Sequence, residues 1–218
     1  MHLFFDLDGT LTDSSPGIVR CINHALVKLG HDAADEARLR GMIGTSLAEI
    51  FPQLTGRRDP AFVRHAIAAY RERFNEVGIF ENSLYPEMED ALEGWHADGH
   101  TMRVVTIKPG VAASRVVEHF GIAKFFAGVH GPAANDRSAD KKKLVGAALK
   151  QTRAARRAIA MIGDRAEDVL AARHHDIRAI AVGWGYGDRD ELKAANPERV
   201  VDTVADLASW ISRTDLLI

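Results

Sequence analysis

The chain has 218 residues, enough to bury a sizeable core as one large domain or as one domain carrying a smaller insertion. Apolar residues make up 46% and charged residues 27%, which excludes a disordered chain, and a formal net charge of -2 leaves no general electrostatic footprint for nucleic acid. Cys21 is the single cysteine, so no intrachain disulfide forms; no apolar run is long enough to span a bilayer, and the first acid at Asp6 leaves no room for a secretory apolar segment. The expectation is a cytoplasmic protein with no nucleic-acid or membrane partner, monomeric or homodimeric.

Taken in order, Leu3-Phe4-Phe5 reads as a buried parallel strand. Ser14-Ser15-Pro16 starts a helix that carries Ile18, Ile22, Ala25, Leu26 and Leu29 at helical spacing and ends at Gly30. From there to Asn82 the pattern is helical: a segment around Ala34 to Ile43, another around Leu47 to Leu54, and a long one from Pro60 to about Val77. Beyond Leu84 strand alternates with helix. Pro86 opens a helix through Trp95, Thr101 to Thr106 is a strand, and Pro109 opens a helix ending at Gly121. Further strands fit Phe125 to His130, Ala158 to Ile162, Arg178 to Val182 and Val200-Val201, with helices at Lys141 to Lys150, Glu167 to Arg173 and Val204 to Ile211. Apolar strands without strict alternation imply a parallel sheet covered on both faces. The expected fold is therefore α/β: a Rossmann-like doubly wound parallel sheet formed by 1–14 and 84–218, with 15–83 inserted as a helical cap domain.

Chemistry gathers at the strand ends, where open α/β sheets place their ligands. After the first strand come Asp6-Leu7-Asp8-Gly9-Thr10; the two acids share a face in an extended segment, and their mutual repulsion is relieved by a cation, for which hard oxygen ligands favour Mg²⁺. A bare Asp-x-Asp-Gly is also an ordinary turn after a strand. The second strand ends in Thr106-Ile107-Lys108-Pro109, presenting a hydroxyl and main-chain N–H groups at a helix start that favours anions, although threonine is common in any strand. Gly163-Asp164 follows the Ala158 to Ile162 strand, with Asp168 four residues on; the pair either completes a cation site or contains a helix cap. In Asp140-Lys141-Lys142-Lys143 the lysines form a solvated face or turn one ammonium toward an anion. The ten histidines make no metal-ligand spacing.

Together these motifs resemble the haloacid dehalogenase superfamily, in particular its phosphatases related to phosphoglycolate phosphatase, over nearly the whole chain. Asp6-Leu7-Asp8-Gly9-Thr10 matches the family's first motif, Thr106 followed by Lys108-Pro109 the second, Lys141 the third, with Lys142 as the other register, and Gly163-Asp164 with Asp168 the fourth. Ile107 stands where a serine is frequent, and Glu87 where a glycine is common. The resemblance implies a phosphatase acting on a small phosphorylated metabolite, phosphoglycolate-like or a sugar phosphate, through an aspartyl-phosphate. Asp6 is then the nucleophile and Asp8 the general acid and base. Mg²⁺ is held by Asp6, the Asp8 main-chain carbonyl and Asp164, with Asp168 as outer support. Thr106, Ile107 and Lys141 take the phosphoryl oxygens, and Arg40 of the cap and Thr12 at the crossing serve substrate and cap. Dehalogenating and phosphonate-cleaving relatives lack the second acid that Asp8 supplies. A phosphomutase or pyrophosphatase is the alternative, and a binding module without activity the more distant one.

Overall fold

The computed structural model describes residues 1–133 and 140–215. Its strands and helices run, in chain order, β1 (His2–Phe5), β2 (Thr12–Asp13), α1 (Ser15–Lys28), α2 (Glu36–Arg40), α3 (Leu47–Thr55), α4 (Pro60–Glu76), β3 (Ser83–Leu84), α5 (Met88–Ala97), β4 (Thr101–Val105), α6 (Gly110–His119), β5 (Phe126–His130), α7 (Lys141–Lys150), β6 (Ile159–Gly163), α8 (Ala166–His174), β7 (Arg178–Val182), α9 (Arg189–Ala194), β8 (Arg199–Val201) and α10 (Val204–Asp215). The chain divides into two compact units, Met1–Asp13 with Leu84–Ile218, and Ser14–Ser83. Among the described residues, no helix is long and apolar enough to cross a membrane.

The larger unit is built on a six-stranded sheet in the order β5-β4-β1-β6-β7-β8, every pair parallel. Successive side chains of a strand point to opposite faces, and β1 shows what that achieves. Phe4 enters a core formed with Val145, Ala148 and Leu149 of α7 and Val169 and Ala172 of α8, while Phe5 stacks on Trp95 of α5 at 5.6 Å and meets Phe126 edge-on at 6.4 Å. Helices on both faces make the sheet doubly wound. From β1 the chain moves to β4 and β5 on one side, and from β6 to β7 and β8 on the other. The strand order thus reverses between β1 and β6, which neighbour each other with Phe5 beside Ile162. A crevice at the carboxyl ends of two such strands is where this architecture binds its ligands.

The smaller unit is helical. Its core joins Val19, Ile22, Ala25 and Leu26 of α1 to Leu39 of α2, Ile50 and Phe51 of α3, and Ala66, Ala69 and Tyr70 of α4. The helix anticipated around Ala34 to Ile43 is shorter, Glu36–Arg40, for a local reason. The Asp35 side chain accepts the Arg38 N–H at 2.9 Å and sets the start, while beyond Arg40 the N–H groups of Met42, Ile43 and Thr45 bond three residues back and Gly44 takes φ +100. The helix after Pro86 begins at Met88, because Glu87 adopts a left-handed φ of 64. The short elements β2, β3 and α9 carry too few residues to show a period, and the sequence pattern does not reveal them.

Candidate active site

Three acids from two neighbouring strand ends converge. Asp6 follows β1 and its N–H donates to the Ile162 carbonyl of β6 at 2.9 Å; Asp164 follows β6; Asp168 lies in the first turn of α8, where its carboxylate accepts the Arg165 N–H at 3.1 Å. All three are buried, and one side-chain oxygen from each lies within 4.8 Å of the others. Lys141, the first residue of α7, reaches into this group: its Nζ is 2.9 Å from Asp6 Oδ1 and 2.7 Å from Asp168 Oδ1, and donates to the Val105 carbonyl at 3.1 Å. Asp140 caps the helix by accepting the Lys142 N–H, and Val145, Ala148 and Leu149 face the core. That register turns Lys141 inward, at 3% exposure, and leaves Lys142 and Lys143 exposed.

Three carboxylates against one ammonium leave two net negative charges in a buried space. The pKa values of the acids shift accordingly. Burial, then the charge of Asp6, pushes Asp164 up to about 7, against the Tyr186 N–H, Lys141 and Thr10. Burial also holds Asp168 well above the usual carboxylate range, with Asp6 and Asp164 adding to the rise and Lys141 opposing it. Burial opposes the Lys141 charge too, but Asp168 and Asp6 outweigh it and hold the ammonium more firmly protonated than a free lysine. A divalent cation among hard oxygen ligands balances the excess charge, so the donor set fits Mg²⁺. Asp8 contributes no side-chain oxygen to this cluster; a ligand role for it rests on its main-chain carbonyl.

Asp8 sits one residue beyond Leu7, whose carbonyl gathers the N–H groups of Thr10, Leu11 and Thr12 at 3.3, 2.9 and 3.0 Å and so winds the chain into a tight loop. Its carboxylate meets Lys108, with Nζ 2.9 Å from each oxygen. Thr106 is buried after β4, where its N–H donates to the His130 carbonyl and its hydroxyl accepts the Lys108 N–H at 3.2 Å. Ile107 lies half-buried between them; its apolar side chain leaves only its main-chain N–H for an anion. Thr12, anticipated at the crossing to serve substrate and cap, is fully buried, with its hydroxyl 3.5 Å from the Leu7 carbonyl. Arg40 ends α2 in the helical unit and is exposed.

Sequence reasoning missed part of the cradle. Thr10 donates to Asp164 Oδ1 at 3.2 Å, the Tyr186 N–H to Asp164 Oδ2 at 2.8 Å, and the Trp184 indole to the Thr10 carbonyl at 3.1 Å, tying the loops after β1 and β7 to the acid. A Cβ on Gly185 would lie 2.3 Å from both Asp164 Cβ and the Gly9 carbonyl, and one on Gly163 would lie 2.2 Å from Asp168 Cγ. Trp184-Gly185-Tyr186-Gly187 was the available signal, since paired glycines mark close backbone approach.

With that geometry in view, comparison with known proteins is informative. Residues 3–182 match the model of the haloacid dehalogenase-like hydrolases. A 5'-nucleotidase of Pseudomonas aeruginosa is 38% identical over 208 residues, covering 95% of this chain and 92% of that protein. A phosphoglycolate phosphatase of Vibrio parahaemolyticus is 28% identical over 215 residues, 95% and 94% of the two chains. Among solved structures, protein tyrosine kinase A of Mycobacterium tuberculosis superposes with a TM-score of 0.82 at 32% identity, covering 96% of each chain.

Proposed function

This chain belongs to the haloacid dehalogenase-like hydrolases and is a phosphatase of that family, and from that premise we propose that it is a Mg²⁺-dependent enzyme hydrolysing a small phosphate monoester through a phosphorylated Asp6. The observation that carries this reading is the meeting of Asp6, Lys141, Asp164 and Asp168 at the ends of two central strands, beside an Asp8 placed one residue past Leu7. Asp6, the Asp8 main-chain carbonyl and Asp164 would hold the ion, with Asp168 behind them. Bound there, Mg²⁺ neutralises phosphoryl oxygens and lowers the repulsion that an anionic nucleophile meets at a phosphate.

The protein's own groups do the rest. An Asp6 oxygen forms a bond to phosphorus while the bond from phosphorus to the leaving oxygen breaks, and Asp8 gives that oxygen its proton. Water then attacks phosphorus as Asp8 takes its proton, and the electron pair of the broken bond returns to Asp6, releasing inorganic phosphate. Thr106, the Ile107 N–H and Lys141 hold the phosphoryl oxygens, and Arg40 is assigned to a second anionic group on the substrate through its guanidinium. The substrate is a phosphoglycolate-like monoester, a sugar phosphate or, by the likeness to the Pseudomonas enzyme, a nucleotide, so that the leaving group is a glycolate-like alcohol, a sugar or a nucleoside. The test is phosphate release across those monoesters with Mg²⁺, wild type against Asp6→Asn; substantial release by the variant would overturn the covalent route. A second reading, transfer to an acceptor other than water as in a phosphomutase, is favoured by the likeness to the tyrosine kinase. Product analysis separates the two.

A further inference from the structure

The loop after β4 carries a lysine that the mechanism above leaves without a task. Lys108 is 7% exposed, and its ammonium stands 2.9 Å from both oxygens of Asp8, a residue one hundred positions earlier in the chain. We propose that Lys108 is a positioning residue for proton transfer, its ammonium fixing the plane and direction of the Asp8 carboxylate at the leaving oxygen. The inference rests on the phosphatase reading and on Asp8 as its acid and base.

Two features make the lysine a fixed support. Its N–H donates to the Thr106 hydroxyl at 3.2 Å, and its carbonyl lies so close to Gly131 that a Cβ there would stand 2.5 Å from it and 2.8 Å from the Gly110 nitrogen. The Gly110 N–H also donates to the Pro132 carbonyl at 2.9 Å, so the loop is held against the segment after β5. A single cation equidistant from two carboxylate oxygens then resists rotation of the carboxylate about its own bond. Proton transfer requires that restraint, because a donor displaced by about 1 Å loses on the order of 10²-fold in rate. The competing assignment is direct phosphate binding, since Lys108 lies two residues past Thr106.

Leaving-group dependence distinguishes these roles. Lys108→Met is compared with wild type and Lys108→Arg on p-nitrophenyl phosphate and on an alkyl monoester such as glycerol phosphate, in saturating Mg²⁺. An aryl leaving group departs without a proton, whereas an alkyl one needs it. Turnover of the alkyl ester is expected to fall about 10²-fold in Lys108→Met, with KM within about threefold of wild type and the pre-steady-state burst of p-nitrophenol nearly unchanged. Lys108→Arg, whose guanidinium can grip both oxygens, restores most of the alkyl rate. Lys108→Gln replaces the methionine variant if that one does not fold. A raised KM at unchanged kcat on both substrates would make Lys108 a phosphate ligand and overturn the proposal. Equal loss in the burst and in alkyl turnover, or no loss in either, would overturn it as well. Absence of phosphate release by the wild type on every monoester would overturn the phosphatase reading itself, a result distinct from these.

Discussion

Asp164 links the candidate site to a measurable stability. Its carboxyl titrates at about 7 in the folded chain against an ordinary value of 3.8. A buried acid with a raised folded value binds more protons folded than unfolded, so in the absence of metal its stability contribution declines as pH rises from about 4 to 7. The difference corresponds to about 4 kcal/mol overall, and about 1.4 kcal/mol of it falls between about pH 6 and pH 8. Asp164→Asn removes the charge and keeps one acceptor oxygen, for the Tyr186 N–H, while the Thr10 hydroxyl can turn to accept from the new amide. With EDTA near pH 8 the variant should be more stable than wild type by up to about 4 kcal/mol; at about 2 to 4 °C per kcal/mol this caps the rise in melting temperature at about 8 to 16 °C. Burial lowers His2 and His130, whose loss of stability on acidification opposes this trend, so the measured quantity is the variant-minus-wild-type difference at the two pH values. Thermal melts in EDTA give it directly. Adding Mg²⁺ should raise the wild-type melt far more than the variant's. A variant less stable than wild type near pH 8 in EDTA, or equal pH slopes for the two proteins, would refute the electrostatic account of the acid cluster.

Five further substitutions probe the site and its scaffold. Lys141→Ala strips the cation from two buried acids and should lower phosphate release about 10² to 10³-fold, whereas the exposed Lys142→Ala should stay within about twofold of wild type. Gly185→Ala drives a Cβ into Asp164 and should cost about 1 to 3 kcal/mol by denaturant melt and most of the activity; Gly94→Ala in α5, with open space around it, should gain about 0.5 to 1 kcal/mol. Glu87→Gly relieves a left-handed φ of 64 and should stabilise the chain by about 1 kcal/mol without altering turnover.

Much of the fold was legible because its signals are local. Apolar runs such as Leu3 to Phe5 and Ala158 to Ile162 read as buried strands, and the acids that follow them fall at the switch point between β1 and β6. The Lys141 register was legible for the same reason, as Asp140 starts the helix and Val145, Ala148 and Leu149 fix its inner face. What escaped depends on contacts between distant positions. Nothing near Lys108 marks it as the partner of Asp8, and nothing near Thr10 shows that it bonds Asp164 across 154 residues. The Thr12 hydroxyl turns toward the Leu7 carbonyl, a direction set by the loop's hydrogen bonds that no local pattern announces. Gly44 and Glu87 shifted two helix boundaries through left-handed backbone that residue pattern does not announce.

In the proposed reaction Asp6 carries the phosphoryl group. Asp8→Asn should slow its removal, since general base help is typically worth about 10² to 10⁴-fold. An acid quench of that variant during turnover of p-nitrophenyl phosphate with Mg²⁺, followed by peptide mass spectrometry, should find the phosphoryl adduct on Asp6. An adduct on any other residue, or continued phosphate release with no adduct on Asp6, would contradict it.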